Sequence, residues 1–181
     1  MESATSLLHQ LNNTDEHTRV EAKSTKNSVG DSVFETVSAY CNEPGLNGGY
    51  LLLGVSKVHD GRLFPCYAPI DISDTDKVQG EFVSRCRTEF NLAVRPQIEI
   101  QVVNHSRVIV AYIPEVSPNE KPIFIKSKGL PSGAFRRIGA SDQACTEDDL
   151  ATLFQQRRTE TYDQLATNIL VEDVDEESRP C

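Results

Sequence analysis

Two glutamates and a lysine near the N-terminus are the first residues whose types and spacing could do chemistry. Glu16 and Glu21 stand five residues apart, and Lys23 follows. If residues 18–23 form a strand, Glu21 and Lys23 share one face and Glu16 lies near its start, because side chains alternate along a strand. Two carboxylates and a lysine could hold a divalent cation against a phosphate. The other interpretation is that Glu and Lys alternate outward on an edge strand, and the spacing alone favours it.

A pair of glycines, Gly48 and Gly49, is the second feature. Asn47 precedes the pair and the apolar run 50–55 follows it. Glycines let a backbone come close to a phosphate or a ribose. The pattern is not a phosphate-binding loop of the GxxxxGK[ST] type, since no such lysine follows and the glycines precede a strand rather than a helix. Taken in isolation, the pair favours a plain tight turn.

A basic segment is the third feature. Positions 121–137 hold five cations and no acid. On two short strands joined by the Gly- and Pro-containing loop 129–133, these cations would form a hairpin that contacts phosphates. Equally, they would pair with the many carboxylates elsewhere in the chain, and the sequence does not choose between the two. The five cations are Lys121, Lys126, Lys128, Arg136 and Arg137.

An α+β fold is predicted to position these residues. Two β-branched runs, 97–103 and 107–113, are joined by turn-forming residues and predict a hairpin, whose alternation places Ile98, Ile100 and Val102 on one buried face. The result is a single domain with a mixed, mostly antiparallel sheet flanked by about three helices, since strands and helices do not alternate regularly. The other predicted strands are 18–23, 50–56, 62–66, 123–126 and 134–138, and the predicted helices are 28–41 with Ser28 as its N-cap, 74–90, and one beginning at Thr146.

Length and charge divide the chain into three parts. Its 181 residues suit one domain of ordinary size, and the net charge is −9. Residues 159–181 hold seven acids against one arginine, so the rest of the chain is only mildly acidic. We expect a flexible N-terminal arm at 1–14, or one short helix around Ser6 to Leu11 within it. The domain follows at 15–158, and a helical extension with an acidic linker or tail at 159–181.

The cysteines, histidines and apolar runs limit the class of protein. Five cysteines without a CxxC pair and four histidines without ligand spacing predict reduced thiols, no Cys- or His-held metal and no cofactor. The longest apolar run is far shorter than the roughly 20 residues of a membrane span. The first residues also lack a signal-peptide pattern. We expect a cytoplasmic protein that does not contact a membrane.

Four motifs follow one another along the chain: Glu21-Ala22-Lys23, the helix segment 37–42, the glycines and strand 48–55, and Phe135-Arg136-Arg137-Ile138-Gly139-Ala140-Ser141. Taken in order, they resemble the Schlafen AlbA-like domain over residues 16 to about 158. The family favours Glu-Phe-Lys in the first motif, so Ala22 is a departure, and residues 43–46 are an addition before the glycines. The resemblance implies a nucleic-acid-binding domain, with DNA as the expected partner, that in many relatives precedes an effector domain.

A non-catalytic DNA-binding domain of a transcriptional regulator is the leading hypothesis from this resemblance, and a homodimer is compatible with it. The residues expected to contact phosphates are Lys126, Lys128, Arg136 and Arg137, with Lys23 and the backbone of Gly48 and Gly49 near the same surface.

The resemblance also implies a nuclease alternative. In vertebrate Schlafen proteins, a related core cuts transfer RNA with two glutamates and an aspartate, and Glu16 and Glu21 match the glutamates in their spacing. The third position does not match, since the nearest acid after Gly54-Val55 is Asp60. An RNase dependent on Mg²⁺ or Mn²⁺ would then lack one of three carboxylates.

A nucleotide-sensing or protein-interaction module is a third class, indicated only by the modest charge and the acidic tail.

Overall fold

The computed structural model describes residues 1–58 and 66–157, which form one α+β domain. None of the described helices is long and apolar enough to cross a membrane. The helices are α1 (Ala4–Thr14), α2 (Asp31–Asn42), α3 (Thr75–Thr88) and α4 (147–157), with a 3₁₀ turn at Pro118–Glu120. The strands are β1 (Val20–Lys23), β2 (Gly49–Leu53), β3 (Val55–Val58), β4 (Cys66–Pro69), β5 (Gln97–Val103), β6 (Ser106–Ile113), β7 (Phe135–Ile138) and β8 (Ser141–Ala144).

The main sheet has the strand order β1-β2-β6-β5. The pair β1–β2 is parallel, and the other two pairs are antiparallel. Two-stranded sheets, β3–β4 and β7–β8, complete the described strands. This confirms the predicted mixed, mostly antiparallel α+β fold, although the described helices number four where about three were expected.

Both faces of the main sheet are covered, which explains why β2 is apolar at every inner position. Leu51 and Leu53 pack into the core that contains α2 and α3. Leu52, between them, packs into the core that contains α1 and Tyr67 of β4. Successive side chains of a strand point to opposite faces, so a central strand buried on both sides needs a continuous apolar run.

The N-terminal residues form a packed helix, so the flexible arm expected at 1–14 is wrong and the alternative of a short helix in this segment is the better description. Ser3 caps α1 by accepting a hydrogen bond from Ser6 N at 3.2 Å. Ala4, Leu7 and Leu11 recur at helical spacing and are buried. Their burial on the sheet stabilises a segment whose polar composition alone favours a loose arm.

The start of α2 also differs from the prediction. Ser28 does not cap the helix, because Gly30 occupies the N-cap position and makes no side-chain cap bond. Val29 is buried in the core, and its carbonyl accepts a hydrogen bond from Arg85 Nη1 at 2.6 Å. These tertiary contacts hold residues 28–30 outside the helix and move its beginning to Asp31.

The predicted strand 50–56 is divided in two at Gly54. Gly54 has φ +87°, and a Cβ there would lie 2.7 Å from Ile72 Cδ1, so a glycine is required. The chain leaves the main sheet at this residue and enters β3, which pairs only with β4 among the described strands. The strand predicted near 62–66 corresponds in part to β4, and residues 59–65 lie outside the described residues.

The β5–β6 hairpin is confirmed, but the buried face predicted for β5 is wrong. Ile98 is half-buried against the core, whereas Ile100 is 37% exposed and Val102 is 68% exposed. The reason is position: β5 is an edge of the sheet, and the covering helices do not extend over its outer half. Alternation alone predicts that residues share a face but does not show what covers that face.

Candidate nucleic-acid interface

Arg137 lies at the centre of a buried ion cluster. Its side chain has no exposed surface. Its Nη1 contacts Glu21 Oε2 and donates to Asp142 Oδ1 at 2.8 Å, and its Nε and Nη2 donate to the carbonyl oxygens of Thr18 and His17. The expectation that Arg137 contacts phosphates is therefore wrong, because every guanidinium nitrogen is already bound inside the protein.

Glu21 is the acidic partner that ties this cluster to β1. One carboxylate oxygen contacts Lys23 Nζ and the other contacts Arg137, and the residue is 6% exposed. Burial and then the neighbouring carboxylate of Asp142 raise the pKa of Glu21, while the charges of Lys23 and Arg137 oppose that rise. Glu21 and Lys23 share one face of β1, as their spacing predicts, and they use that face to pair with each other.

Glu16 closes the outer edge of β1. Its Oε1 accepts a hydrogen bond from the backbone N–H of Ala22 at 3.1 Å. Beside it, His17 and Val20 exchange backbone hydrogen bonds. The carboxylate of Glu16 therefore satisfies a backbone donor that an edge strand would otherwise leave unpaired.

The residues of the nuclease alternative do not form a metal-binding set in the part of the chain that the structure describes. No group of three His, Cys, Asp or Glu side chains there is arranged to hold a metal ion. Both oxygens of Glu21 face cations, and a metal would have to displace Lys23 or Arg137 to reach them. Asp60 lies outside the described residues. The described donor set thus does not fit the divalent metal that this alternative requires.

Gly48 and Gly49 are both buried and are required by packing. A Cβ on Gly48 would lie 2.2 Å from the carbonyl oxygen of Ile113, and Gly48 has φ +78°. A Cβ on Gly49 would lie 2.5 Å from the ring of Tyr40. The expected approach of their backbone to a phosphate is wrong, because a strand and an aromatic ring occupy the space beside them.

The basic segment pairs largely with acids from other elements. Lys121 is buried and its Nζ lies 2.6 Å from Glu115 Oε1. That carboxylate also accepts hydrogen bonds from the N–H groups of Gly45 and Asn47. Burial alone would raise the pKa of Glu115, but these hydrogen bonds outweigh it and hold the pKa below its ordinary value.

Arg136 and Lys128 are paired nearer the surface. Arg136 makes a bidentate contact with Glu43, at 2.8 and 2.9 Å, and reaches Asp149 at 3.1 Å. Lys128 Nζ lies 2.6 Å from Glu35 Oε1 and 5.3 Å from the centre of the Phe135 ring. Sequence reasoning missed the two glutamate partners because each is 93 residues distant along the chain.

Lys126 is exposed, and among the described residues no carboxylate lies within ion-pair distance of its Nζ. With Lys128 and Arg85, it lines a cleft of about 320 Å³ between the end of α3 and the segment 125–128. Arg85 is held by Asp31 and Glu89, so the two lysines supply the available charge. Arg87, which the sequence analysis missed, lines the adjoining groove on α3, and Thr88 borders both.

The arrangement of strands and charged side chains can be compared with known proteins. A family model described as Schlafen, AlbA_2 matches residues 16–146. The chain belongs to the Schlafen, AlbA_2 family. The match begins at Glu16 and extends beyond β8, so both halves of the Glu21–Arg137 cluster belong to the AlbA_2 domain.

The chain is also similar to solved structures. The chain is similar to the N-terminal domain of a RecG-related protein from Nitrosomonas europaea, known from solution NMR. The two are 46% identical with a TM-score of 0.65, over 81% of this chain and 95% of that one. The crystal structure of the DIP2311 protein from Corynebacterium diphtheriae is 20% identical, with a TM-score of 0.49 over 85% of this chain and 27% of that one. No curated protein matches the chain.

Within the AlbA_2 domain, Arg136 and Arg137 of the last motif have different partners. Arg137 reaches back to Glu21 of the first motif, and Arg136 reaches Glu43 in the segment that lengthens the loop before the glycines. The first and last motifs, which are far apart in sequence, are therefore held together by the ion pair between Glu21 and Arg137. Within the basic segment, the cations that remain accessible to a ligand are Lys126 and, less completely, Lys128.

Proposed function

We propose that this AlbA_2 domain binds nucleic acid, DNA in particular, and that phosphates lie against the cleft formed by α3 and the segment 125–128. The observation that carries the proposal is Lys126, an exposed cation with no described carboxylate partner, beside Lys128 on a surface that also includes Arg87. Lysines at such a surface bind phosphates as point charges. The Nitrosomonas europaea relative supports DNA, since its name relates it to an ATP-dependent DNA helicase.

Lys128 serves this function at a cost, because it must exchange its ion pair with Glu35 for a phosphate. Both side chains are partly exposed, at 38% and 30%, and an ion pair of this kind stabilises the protein by about 0–1 kcal/mol. A phosphate can therefore compete with Glu35. Arg136 is held by two carboxylates, and its contribution to binding is correspondingly smaller.

The proposed role is that of a tether. The domain holds an effector region of a longer protein, such as a transcriptional regulator or a helicase-type enzyme, on DNA through contacts to the backbone. Contacts to phosphates position a protein without reading base sequence, so the domain itself supplies affinity rather than specificity.

The test is a fluorescence-anisotropy titration of duplex DNA, single-stranded DNA and transfer RNA with the protein and its Lys126→Ala/Lys128→Ala variant. Loss of two phosphate contacts should raise the dissociation constant for duplex DNA by about tenfold at low salt. Unchanged affinity in this variant would overturn the proposed interface.

Lys57→Ala is the matched control. Lys57 has the same 38% side-chain exposure as Lys128, pairs with one carboxylate, and lies 5.4 Å from the centre of an aromatic ring. It belongs to β3, whose neighbours pack in the core on the other side of the main sheet. Its replacement should leave binding unchanged. A gel of the same samples with and without Mn²⁺ tests the nuclease alternative, which predicts shortened RNA only with the metal.

A further inference from the structure

The two edges of the main sheet differ. At β1 the chain closes its own edge with the bridge between His17 and Val20 and with the carboxylate of Glu16. At β5 no described residue makes a backbone hydrogen bond to the outer side of the strand. An edge left open in this way presents unpaired N–H and C=O groups to another strand.

The hairpin geometry identifies the free backbone groups of β5. Its loop is Asn104-His105, and both residues have positive φ. In a two-residue hairpin, the flanking residues Val103 and Ser106 form a hydrogen-bonded pair. By alternation, the N–H and C=O groups of Gln97, Glu99 and Gln101 also face β6. Those of Ile98, Ile100 and Val102 point away from it.

The hydrogen bonds between β1, β2 and β6 lead to the same assignment of which β5 residues face β6. The N–H groups of Tyr50 and Gly54 donate to carbonyl oxygens of β1 and the residue before it. The intervening Leu51 and Leu53 therefore face β6 and exchange bonds with it. Continuing across β6, the residues that face β5 are the even-numbered ones, including Ser106.

The three residues with free backbone groups also carry apolar side chains on one face. Val102 is 68% exposed and Ile100 is 37% exposed, while Ile98 is half-buried against the core. Within its seven residues, β5 has no lysine, proline or bulge, which are the usual means of protecting an edge. Open backbone and exposed apolar side chains thus coincide on the same residues.

We infer that a second copy of this chain pairs with the first along β5, antiparallel, about a two-fold axis at Ile100. Ile100 then lies opposite Ile100 of the partner subunit, and Ile98 lies opposite the partner's Val102. All three outward-facing residues form hydrogen-bonded pairs in this register. The two main sheets become one continuous sheet, and the apolar side chains form one row across the axis.

Charge disfavours one alternative register of this pairing. In the proposed pairing, Glu99 lies opposite Gln101 of the partner subunit, a neutral side chain whose amide already donates to Glu99 of its own strand at 2.9 Å. A shift that moves the axis to Glu99 would set Glu99 against Glu99 of the partner subunit, and like charges directly opposite are destabilising. The strand is thus complementary to itself, as a two-fold interface requires.

Sedimentation equilibrium of the full chain over a range of concentrations tests the inference. The monomer mass is 20.1 kDa, and we expect reversible formation of a species of twice that mass. Ile100→Lys places two lysines opposite each other at the axis and should raise the dissociation constant of the dimer by at least about tenfold. Val102→Lys, at the more exposed position, should act in the same direction without disturbing the fold.

Val58→Lys is the matched control, since Val58 is an exposed valine, at 39%, on β3 of the two-stranded β3–β4 sheet. It should leave the dimer intact. The register is tested by Ile100→Cys in a Cys66→Ser/Cys181→Ser background, where a hydrogen-bonded pair separated by about 5.5 Å between Cα atoms permits a disulfide. A protein that is monomeric at every concentration would overturn the inference. So would a dimer that neither lysine variant weakens.

Discussion

Burial decides whether a charged residue of this protein is available to a ligand. Arg136 and Arg137 are neighbours in sequence, but side chains alternate along β7 and the two point to opposite sides of the strand. Arg137 is enclosed by Glu21, Asp142 and backbone carbonyl oxygens. Arg136 remains partly exposed against Glu43 and Asp149. One dipeptide therefore belongs to two separate ion networks.

Removing the buried guanidinium should strongly destabilise the protein. Arg137→Met leaves the buried carboxylate of Glu21 and the nearby Asp142 without their shared partner, which should lower the free energy of unfolding by about 3–5 kcal/mol. Urea denaturation followed by circular dichroism measures the change. Arg136→Met is the matched control, and at a partly exposed pair it should cost about 1–2 kcal/mol. Equal losses in the two variants would contradict the distinction between their networks.

At the scale of elements, glycines set how closely α2, β2 and β6 approach one another. Gly49 lets β2 begin directly beneath the ring of Tyr40 on α2, and Gly48 lets the preceding turn meet the end of β6. The carboxylate of Glu115 then holds that turn by accepting from Gly45 and Asn47. The glycines at 48 and 49 thus allow close packing, and their neighbours Ile113 and Tyr40 bury the backbone at these positions.

Gly49→Ala and Gly80→Ala form a pair of substitutions with opposite expected results. A Cβ on Gly49 would lie 2.5 Å from the Tyr40 ring, and the forced displacement should cost about 1–3 kcal/mol of folding free energy. Gly80 lies within α3 with nothing within 4 Å of its Cβ position, so alanine should stabilise the protein by about 0.5–1 kcal/mol. Thermal denaturation of both variants checks the signs. A stabilised Gly49→Ala protein would show that β2 and α2 can separate freely.

At the scale of the whole molecule, exposed cations are spread over several elements, and within the basic segment Lys126 alone has no described carboxylate partner. The chain carries a net charge of −9, and four of the five cations of the basic segment are paired within the described residues. Lys126 and Lys128 line one cleft, and Arg87 lines the groove that adjoins it at Thr88. The net negative charge of the chain repels a polyanion at long range, so the proposed binding of DNA would depend on this local surface.

The salt dependence of DNA binding should reflect the size of that surface. About three phosphate contacts predict a slope of about −2 to −3 in a plot of log affinity against log salt concentration. Anisotropy titrations at several salt concentrations measure the slope. In Lys126→Ala/Lys128→Ala it should become shallower by about two units. A steep slope that persists in this variant would place the binding surface elsewhere on the molecule.

Local patterns account for the parts of the fold that were predicted correctly. The hairpin β5–β6 follows from two β-branched runs around Asn104 and His105, and α3 follows from Asp74 as its cap with Val78, Phe82 and Cys86 on one stripe. The mixed sheet and the membership of the family were likewise readable, because turn residues, caps and periodicity act over a few neighbouring positions. The strand predicted at 123–126 is wrong, since Phe124 and Ile125 make only isolated bridges, and β8 was not predicted.

What only the tertiary structure decided is which charged residues are free. The sequence by itself determined that five cations stand without an acid between positions 121 and 137, but Arg137 pairs with Glu21 across 116 residues and Lys128 pairs with Glu35 across 93. Likewise, alternation determined that Ile98, Ile100 and Val102 share a face, and only the edge position of β5 left two of them exposed. The physical reason is common to both cases: ion pairing and burial depend on distances in space, and those distances are set when elements far apart in the chain pack together.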